Sequence, residues 1–381
     1  MILKHSVMTK FNLKTAMQII PDNRQSGKVL HLLSDIILTA LFTLLCNGQD
    51  YQVMVEFGKI HGSKLKKWLH YPNGVPSHDT FERVFSSVAP EYFVTFLELY
   101  AECFIDLLLE KQISIDGKKL RGASPKSKGN SGLYIVSAWV SENRLCVGQV
   151  KVKDKSNEIT AVPELFGNLD IRGAVVTADA MSCQTAIVRQ ICEQGGDYLI
   201  ALKGNQGTLL QEVSSAFQLD DMKIEDTGWI VEDNHSRPES RRCSILDAEV
   251  VLPEEQRKPW KNLATLVRVE SIRDGVKDER FYISSEKNLQ GFNKPLYFNA
   301  LVRGHWGIEN HLHWHLDVTF KEDKSRVREK YAPENLTVLR KLALQIIENA
   351  KPHFKLSIAK IRYRMSLDIN SLLELLQFSC V

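Results

Sequence analysis

The chain lacks any Cys-x-x-Cys pair, and its cysteines, Cys46, Cys103, Cys146, Cys183, Cys192, Cys243 and Cys380, are odd in number. Such a set favours neither a disulfide framework nor a cysteine-type zinc site; unpaired structural thiols in a reducing compartment fit it better. Long hydrophobic runs are also absent. The longest, Ile36 to Cys46, falls well short of the ~20 residues that a membrane span needs and reads as a buried helix. The opening MILKHSVMTKFNLK has neither an apolar core nor a small-residue cleavage site, so no signal peptide is expected. Charge of one sign is not in excess: 49 Lys and Arg against 46 Asp and Glu leave a formal net charge of +3. Any surface for a polyanion must therefore be local. A G-x-x-x-x-G-K-[ST] loop and an H-E-x-x-H helix are both missing, which removes the P-loop and the zinc-protease helix. The remaining composition, 44% hydrophobic and 25% charged, is that of an ordinary globular protein.

What is there divides by period. Residues 1 to about 26 are polar and read as loosely ordered. A helical pattern follows to about Leu109. SDIILTALFTLLC is a core helix with Ser34 as a candidate cap, and Gln49–Phe57 and Ser63–His70 are shorter helices. After the turn YPNGVPS comes HDTFERVFSSV, in which Asp79 and Glu82 have capping-box spacing, and Pro90 and Glu91 open another helix. A short helix, a turn and a capped helix suggest a helix-turn-helix-like unit; a plain helical bundle is the alternative. From Ile113 the period is 2: ISID, then a hairpin of LYIVSAWV and LCVGQVKV, then AVVTA and DYLIAL, with helices in NEITAVPELFGNL and SCQTAIVRQICEQG. That order gives an α/β fold, a mixed sheet with helices on its faces. Short strands between Met222 and Leu301 form a β-rich insertion, and the chain is helical again from about Pro333. The expected divisions are 1–110 helical, 111–221 first part of the core, 222–301 insertion and 302–381 C-terminal helices.

Three acidic residues carry the chemistry. Asp116 closes ISID, Asp179 closes AVVTA, and Glu309 lies within the helical string RGHWGIENHLHWHLDVTF. Carboxylates that converge from separate elements are what a two-metal phosphoryl-transfer site needs, with Mg²⁺ ions about 3.5–4 Å apart. Taken singly, Asp116 could serve a turn with Gly117, and Asp179 could cap the next helix. Lys118, Lys119 and Arg121 follow Asp116, with Lys126 and Lys128 beyond, and such cations suit a phosphate backbone. Lys203 in ALKGNQG and the cluster His235, Arg237, Arg241 and Arg242 are further phosphate candidates. A solvated face is the alternative for the cluster. His305, Glu309, His313 and Asp317 share one helix face. A zinc site there would leave the strand-end acids and the basic segment unexplained. Trp306 and Trp314 read as core packing.

SHDTFERVF, SIDGKKLRGA, TADAMSCQ, DYLIALKGNQ, RGHWGIENHLHWHLDVTFKED and NLTVLRKLAL together resemble the H-repeat-associated transposases of bacterial Rhs elements, within the DDE superfamily. The long Trp/His/Glu string is the specific part. The resemblance implies an RNase H-like catalytic core with a β-rich insertion before the catalytic Glu, plus an N-terminal helical domain. It implies an Asp116, Asp179, Glu309 triad holding Mg²⁺ (or Mn²⁺ in its place) that cleaves DNA at element ends and transfers the strands to target DNA. Double-stranded DNA as partner, a homodimer around paired ends, and a cytoplasmic, nucleoid-associated location are implied with it. Some related transposases carry Tyr-x₂-Arg-x₃-Glu-x₆-Lys about the third acid. Here those places hold Val302, His305, Glu309 and Leu316, so the roles of that Tyr, Arg and Lys do not transfer; Arg303 or His305 is expected to contact DNA instead. Two other functions are compatible with the sequence: a catalytically silent DNA-binding protein derived from a transposase, and an RNase H-like nuclease that cuts unrelated duplexes as well.

Overall fold

A computed structural model describes residues 11–105, 108, 111–123, 133–152, 158–234, 237–286 and 293–379. The chain enters through a short helix, α1 (Leu13–Ala16), capped by Asn12. This stretch is not loose: Phe11, Leu13, Met17 and Ile20 are buried, and the Phe11 ring meets Phe96 and Tyr100. Helix α2 (Leu33–Leu45) is buried from Asp35 through Leu45, as a helix apolar on every side must be. It starts from Leu32 without a side-chain cap, so Ser34 lies inside its first turn. The buried Asp35 carboxylate accepts from the backbone N–H groups of His70 and Tyr71. Helix α3 (Tyr51–His61) is capped by Asp50. Ser63–His70, expected as a helix, yields only a 3₁₀ turn over Gly62–Leu65. Helix α4 (His78–Ser87) is capped by Ser77, one residue before the helix, rather than by the Asp79–Glu82 pair. Helix α5 (Pro90–Glu102) begins on its proline.

The sheet comprises β1 (Gln112–Leu120), β2 (Leu133–Val140), β3 (Leu145–Lys151), β4 (Val175–Ala178), β5 (Asp197–Leu202), β6 (Glu225–Asp226), β7 (Ile230–Asn234), β8 (Arg237–Asp247), β9 (Thr265–Arg273) and β10 (Val276–Ser284). Helices α6 (Glu158–Gly167), α7 (Thr185–Glu193), α8 (Gly207–Ala216), α9 (Ala248–Val251) and α10 (Glu254–Arg257) lie between strands in the chain. Strand order is β3-β2-β1-β4-β5-β10-β9-β8-β6, with β7 on β8. The insertion therefore continues the core sheet: β10 pairs antiparallel with β5 and covers an edge that would otherwise expose unpaired backbone. Strand β1 does not end at Asp116. Its pairing with β2 runs on to Leu120↔Leu133, so Asp116 lies mid-strand.

Alternation sorts β1 into two faces. Ile113 and Ile115 point one way, and Gln112, Ser114, Asp116 and Lys118 the other. Helix α11 (Lys294–His305), capped by Asn293, covers the second face with Phe298, Leu301 and Val302 packed in one cluster with Val175, Leu199 and Val267. It opens before the expected boundary at residue 302. Two π-helical stretches follow, Ile308–His313 and His315–Thr319, and the first packs on β1. Helices α12 (Ala332–Phe354), α13 (Ile358–Leu367) and α14 (Ile369–Ser379) complete the chain. α12 packs against α2, α4, α5 and β3, so the helices before and after the sheet form one bundle. Its buried polar residues are pegs with sockets. Asn335 donates to the Phe85 and Val88 carbonyls, Lys341 to Ser137 Oγ and Gln149 Oε1, and Gln345 to the Cys146 carbonyl.

Candidate active site

Parallel pairing of β1 with β4 sets Ile115 opposite Ala178. The next residues, Asp116 within β1 and Asp179 just past the end of β4, thus stand side by side, with strands about 4.8 Å apart. Two residues earlier on the same face stand Ser114 and Thr177. They belong to a buried polar network that fastens α11 to the sheet. Gln112 Nε2 donates to Thr177 Oγ1 (3.0 Å) and to the Leu301 carbonyl (2.7 Å). Thr177 Oγ1 lies 3.2 Å from Ser114 Oγ and 3.1 Å from His305 Nδ1, and Ser141 Oγ donates to the Gly304 carbonyl at 3.0 Å. Gly304 is needed because a Cβ there would come within 2.0 Å of Gln112 Oε1.

The helix then widens. A π-helix is uncommon and tends to mark functional positions; here it presents Glu309, His313 and Asp317 along β1. His313 Nδ1 is 3.2 Å from Asp116 Oδ2, and Asp317 Oδ1 is 2.7 Å from Lys118 Nζ. Burial, then the negative charge of Asp116, raise the Glu309 carboxyl above its ordinary range, with Asp179 adding to the rise and His313 opposing it. Burial keeps His305 below its usual value, so its imidazole is neutral beside Thr177. The sequence placed His305, Glu309, His313 and Asp317 on one face, but gave no sign that His313 addresses Asp116.

The expected phosphate ligands separate. Lys118 is turned inward, only 9% exposed, and its ammonium meets Asp317, Glu322 (2.9 Å) and Asp323 (3.8 Å). Burial opposes its charge, but Glu322 and Asp317 hold it above the ordinary lysine range. Its expected place facing DNA is thus corrected: polar residues alternate inward on β1, and a carboxylate cluster waits there. Lys119 and Arg121 are exposed. Lys126 and Lys128 lie outside the described residues. Lys203 Nζ stands 3.4 Å from Asp179 Oδ1. In the turn after it, Asn205 Nδ2 donates to the Ala180 carbonyl and Gln206 Nε2 to the Cys183 carbonyl, so ALKGNQG clasps the loop that follows Asp179. The sequence presents that segment as a phosphate-facing candidate; the clasp depends on the β4–β5 pairing, which leaves no local mark.

Beside Glu309 is a cleft of about 620 Å³ between α11 and the insertion, lined by Arg241, Arg273, Arg280, Arg303 and Trp306. Arg241 and Arg273 share Glu239 at 2.7 Å each, and Arg280 bonds Asp278 while lying over the Trp306 ring. Arg241 and Arg303 are thereby near the acids, whereas His235 and the Arg237 side chain lie outside the described residues. Trp314 departs from expectation: it is 51% exposed rather than packed in the core.

Comparison with known proteins bears directly on this arrangement. The family described as Transposase DDE domain matches residues 108–346, and that described as DDE_Tnp_1-associated matches residues 14–101. The chain belongs to the DDE transposase family. The "H repeat-associated putative transposase YhhI" of Escherichia coli K12 is 36% identical over 378 residues, covering 94% of this chain and 96% of that protein. The "H repeat-associated putative transposase YbfD" of the same organism is 39% identical over 238 residues, 60% of this chain and 91% of that protein. The DDE transposase core is RNase H-like, and the insertion strands extend its sheet. Membership implies DNA binding and use of a divalent metal. Among the described residues no helix is long and apolar enough to cross a membrane.

Proposed function

We propose that this DDE transposase cleaves DNA at the ends of a mobile element and joins the strands to target DNA, with Asp116, Asp179 and Glu309 as its acidic triad. The observation that carries this reading is the juxtaposition of Asp116 and Asp179 on paired parallel strands, facing a Glu309 whose carboxyl both of them raise. Among the described residues no three potential ligands are gathered closely enough to hold an ion as they stand. The donor chemistry nonetheless fits: hard carboxylate oxygens, mutually repelling, are the ligands that Mg²⁺ or Mn²⁺ takes. Asp116, Asp179 and Glu309 are the residues that would hold the metal. When bound, the metal pair activates the attacking water or 3′-hydroxyl and stabilises the leaving oxygen.

The chain's own groups prepare that site. His313 fixes the Asp116 carboxylate from one side. Lys203 places its ammonium 3.4 Å from Asp179 Oδ1 and so offsets part of the negative charge there. The Gln112–Thr177–Ser114 network holds the Glu309 helix in register with both strands. Lys119, Arg121 and Arg303 are the phosphate contacts, and a homodimer brings two element ends together.

Strand cleavage of DNA carrying the element's own ends, with Mg²⁺ or EDTA, tests the proposal on wild type and on Asp179→Ala and Glu309→Ala. Cutting at the ends that needs Mg²⁺ and vanishes in both variants, with duplex binding retained, is the expected result. Binding without cutting by folded wild type under several divalent metals would leave only a DNA-binding role. Equal cutting of unrelated duplexes would make the protein a general nuclease.

A further inference from the structure

A second cleft, about 870 Å³, opens on the other side of the π-helical segment, between it and the corner where α12 meets α13. Its lining includes Arg144, Trp314, Glu348, Lys351 and Lys355. The charge balance of the two clefts differs. Around the first, Arg241, Arg273, Arg280 and Arg303 are matched by Glu239, Asp274, Asp278 and Glu309, a net of zero. Around the second, Arg144, Lys351 and Lys355 face one carboxylate, Glu348, a net of +2. Arg144 and Lys351 both approach Glu348, at 3.5 and 3.6 Å. Exposed Lys355 ends α12 in a left-handed conformation (φ 52°), an unusual choice for a lysine where glycine would be easier. The charge here is that of the three longer cations, since burial holds His315 low, at about 4. Asn310, next to Glu309, lines both clefts.

We infer that this cleft holds single-stranded DNA, an unpaired base lying on the exposed Trp314 indole and the adjoining phosphates meeting Arg144, Lys351 and Lys355. The inference rests on DNA being the substrate. An exposed aromatic face flanked by cations suits a strand whose bases are free to stack on protein; a duplex already stacks its bases on each other. A strand leaving Glu309 passes Asn310 and reaches Trp314 about one helical turn on.

Binding of a labelled thymidine oligonucleotide and of a blunt duplex, measured for wild type, Trp314→Ala, Trp314→Phe and Lys351→Gln/Lys355→Gln, tests this. Trp314→Ala is expected to weaken oligonucleotide binding about tenfold and leave duplex binding unchanged, while Trp314→Phe keeps most of it. The lysine pair variant should lower the salt slope for the oligonucleotide by roughly 0.7 for each phosphate it no longer neutralises. Unchanged oligonucleotide affinity in Trp314→Ala and in the lysine variant, or wild type that binds duplex alone, would overturn the inference and leave the proposed function standing. Wild type that binds neither form would overturn both.

Discussion

Glu309 cannot be read as an isolated acid, since burial and then Asp116 and Asp179 raise its carboxyl. The same holds for Asp116, whose Oδ2 is met by the His313 imidazole at 3.2 Å. In the proposed site, that contact gives His313 a positioning role. Groups that orient metal-binding carboxylates typically matter by 10–100-fold in activity or metal affinity. His313→Ala should therefore slow end cleavage by about that factor and raise the Mg²⁺ concentration needed, with DNA affinity unaltered; a metal titration of the cleavage rate reads both. Neighbouring lysines divide in the same way. Lys119→Gln with Arg121→Gln should flatten the salt dependence of DNA binding by roughly 0.9 in slope for each phosphate left without its cation. Lys118→Gln should leave that slope alone and cost about 3 kcal/mol of stability instead, because it strands Glu322 and Asp317. Salt titrations and urea unfolding of the two variants distinguish these roles.

At the scale of elements, the site is a strand and a helix in register. Gln112, Ser114, Asp116 and Lys118 on β1 answer Leu301, His305, His313 and Asp317, the second through Thr177. Gly304 and Gly307 test this in opposite directions. A methyl at Gly304 collides with a buried Gln112 amide that is already committed to two bonds, whereas at Gly307 the nearest atoms are 3.6 Å away. Gly304→Ala should cost about 1–3 kcal/mol and depress cleavage by shifting the helix. Gly307→Ala should stay within about 0.5 kcal/mol. Thermal unfolding with an end-cleavage assay checks the pair. Much of this was legible in sequence, because period 2 and the apolar runs name β1, β4 and β5, and the four helix residues recur every fourth place. The π-helical widening was not, since it depends on which strand residues the helix meets. Nor was the single sheet: β10 on β5 is a long-range pairing that leaves no local mark. Asp116 read as a strand end because Gly117 follows it, and only the hairpin partner carries the strand further.

Across the whole molecule, the core and the bundle are joined by a buried ionic cluster. Glu322 receives Lys118, approaches Arg340 at 3.6 Å and accepts from Thr337 Oγ1 at 2.9 Å. Burial would raise its carboxyl, but Lys118 and Arg340 hold it below the ordinary range. A lowered folded-state value means that its stabilisation is complete above the unfolded carboxylate pKa of about 4.3 and is lost as pH falls through the folded value. Glu322→Gln should thus lower the urea midpoint at neutral pH, by about 3–5 kcal/mol in stability, and make the acid limb of the pH–stability curve shallower than in wild type. Denaturation curves across that pH range decide it. The packing of α12 into the first helices has a consequence in time. Asn335 bonds the Phe85 carbonyl across 250 residues of chain. At a synthesis rate of roughly 5–20 residues per second, α2, α4 and α5 leave the ribosome about 12–50 s before the helix that buries them. During every round of translation the apolar α2 waits for α12 to cover the face that α3 and α4 leave open.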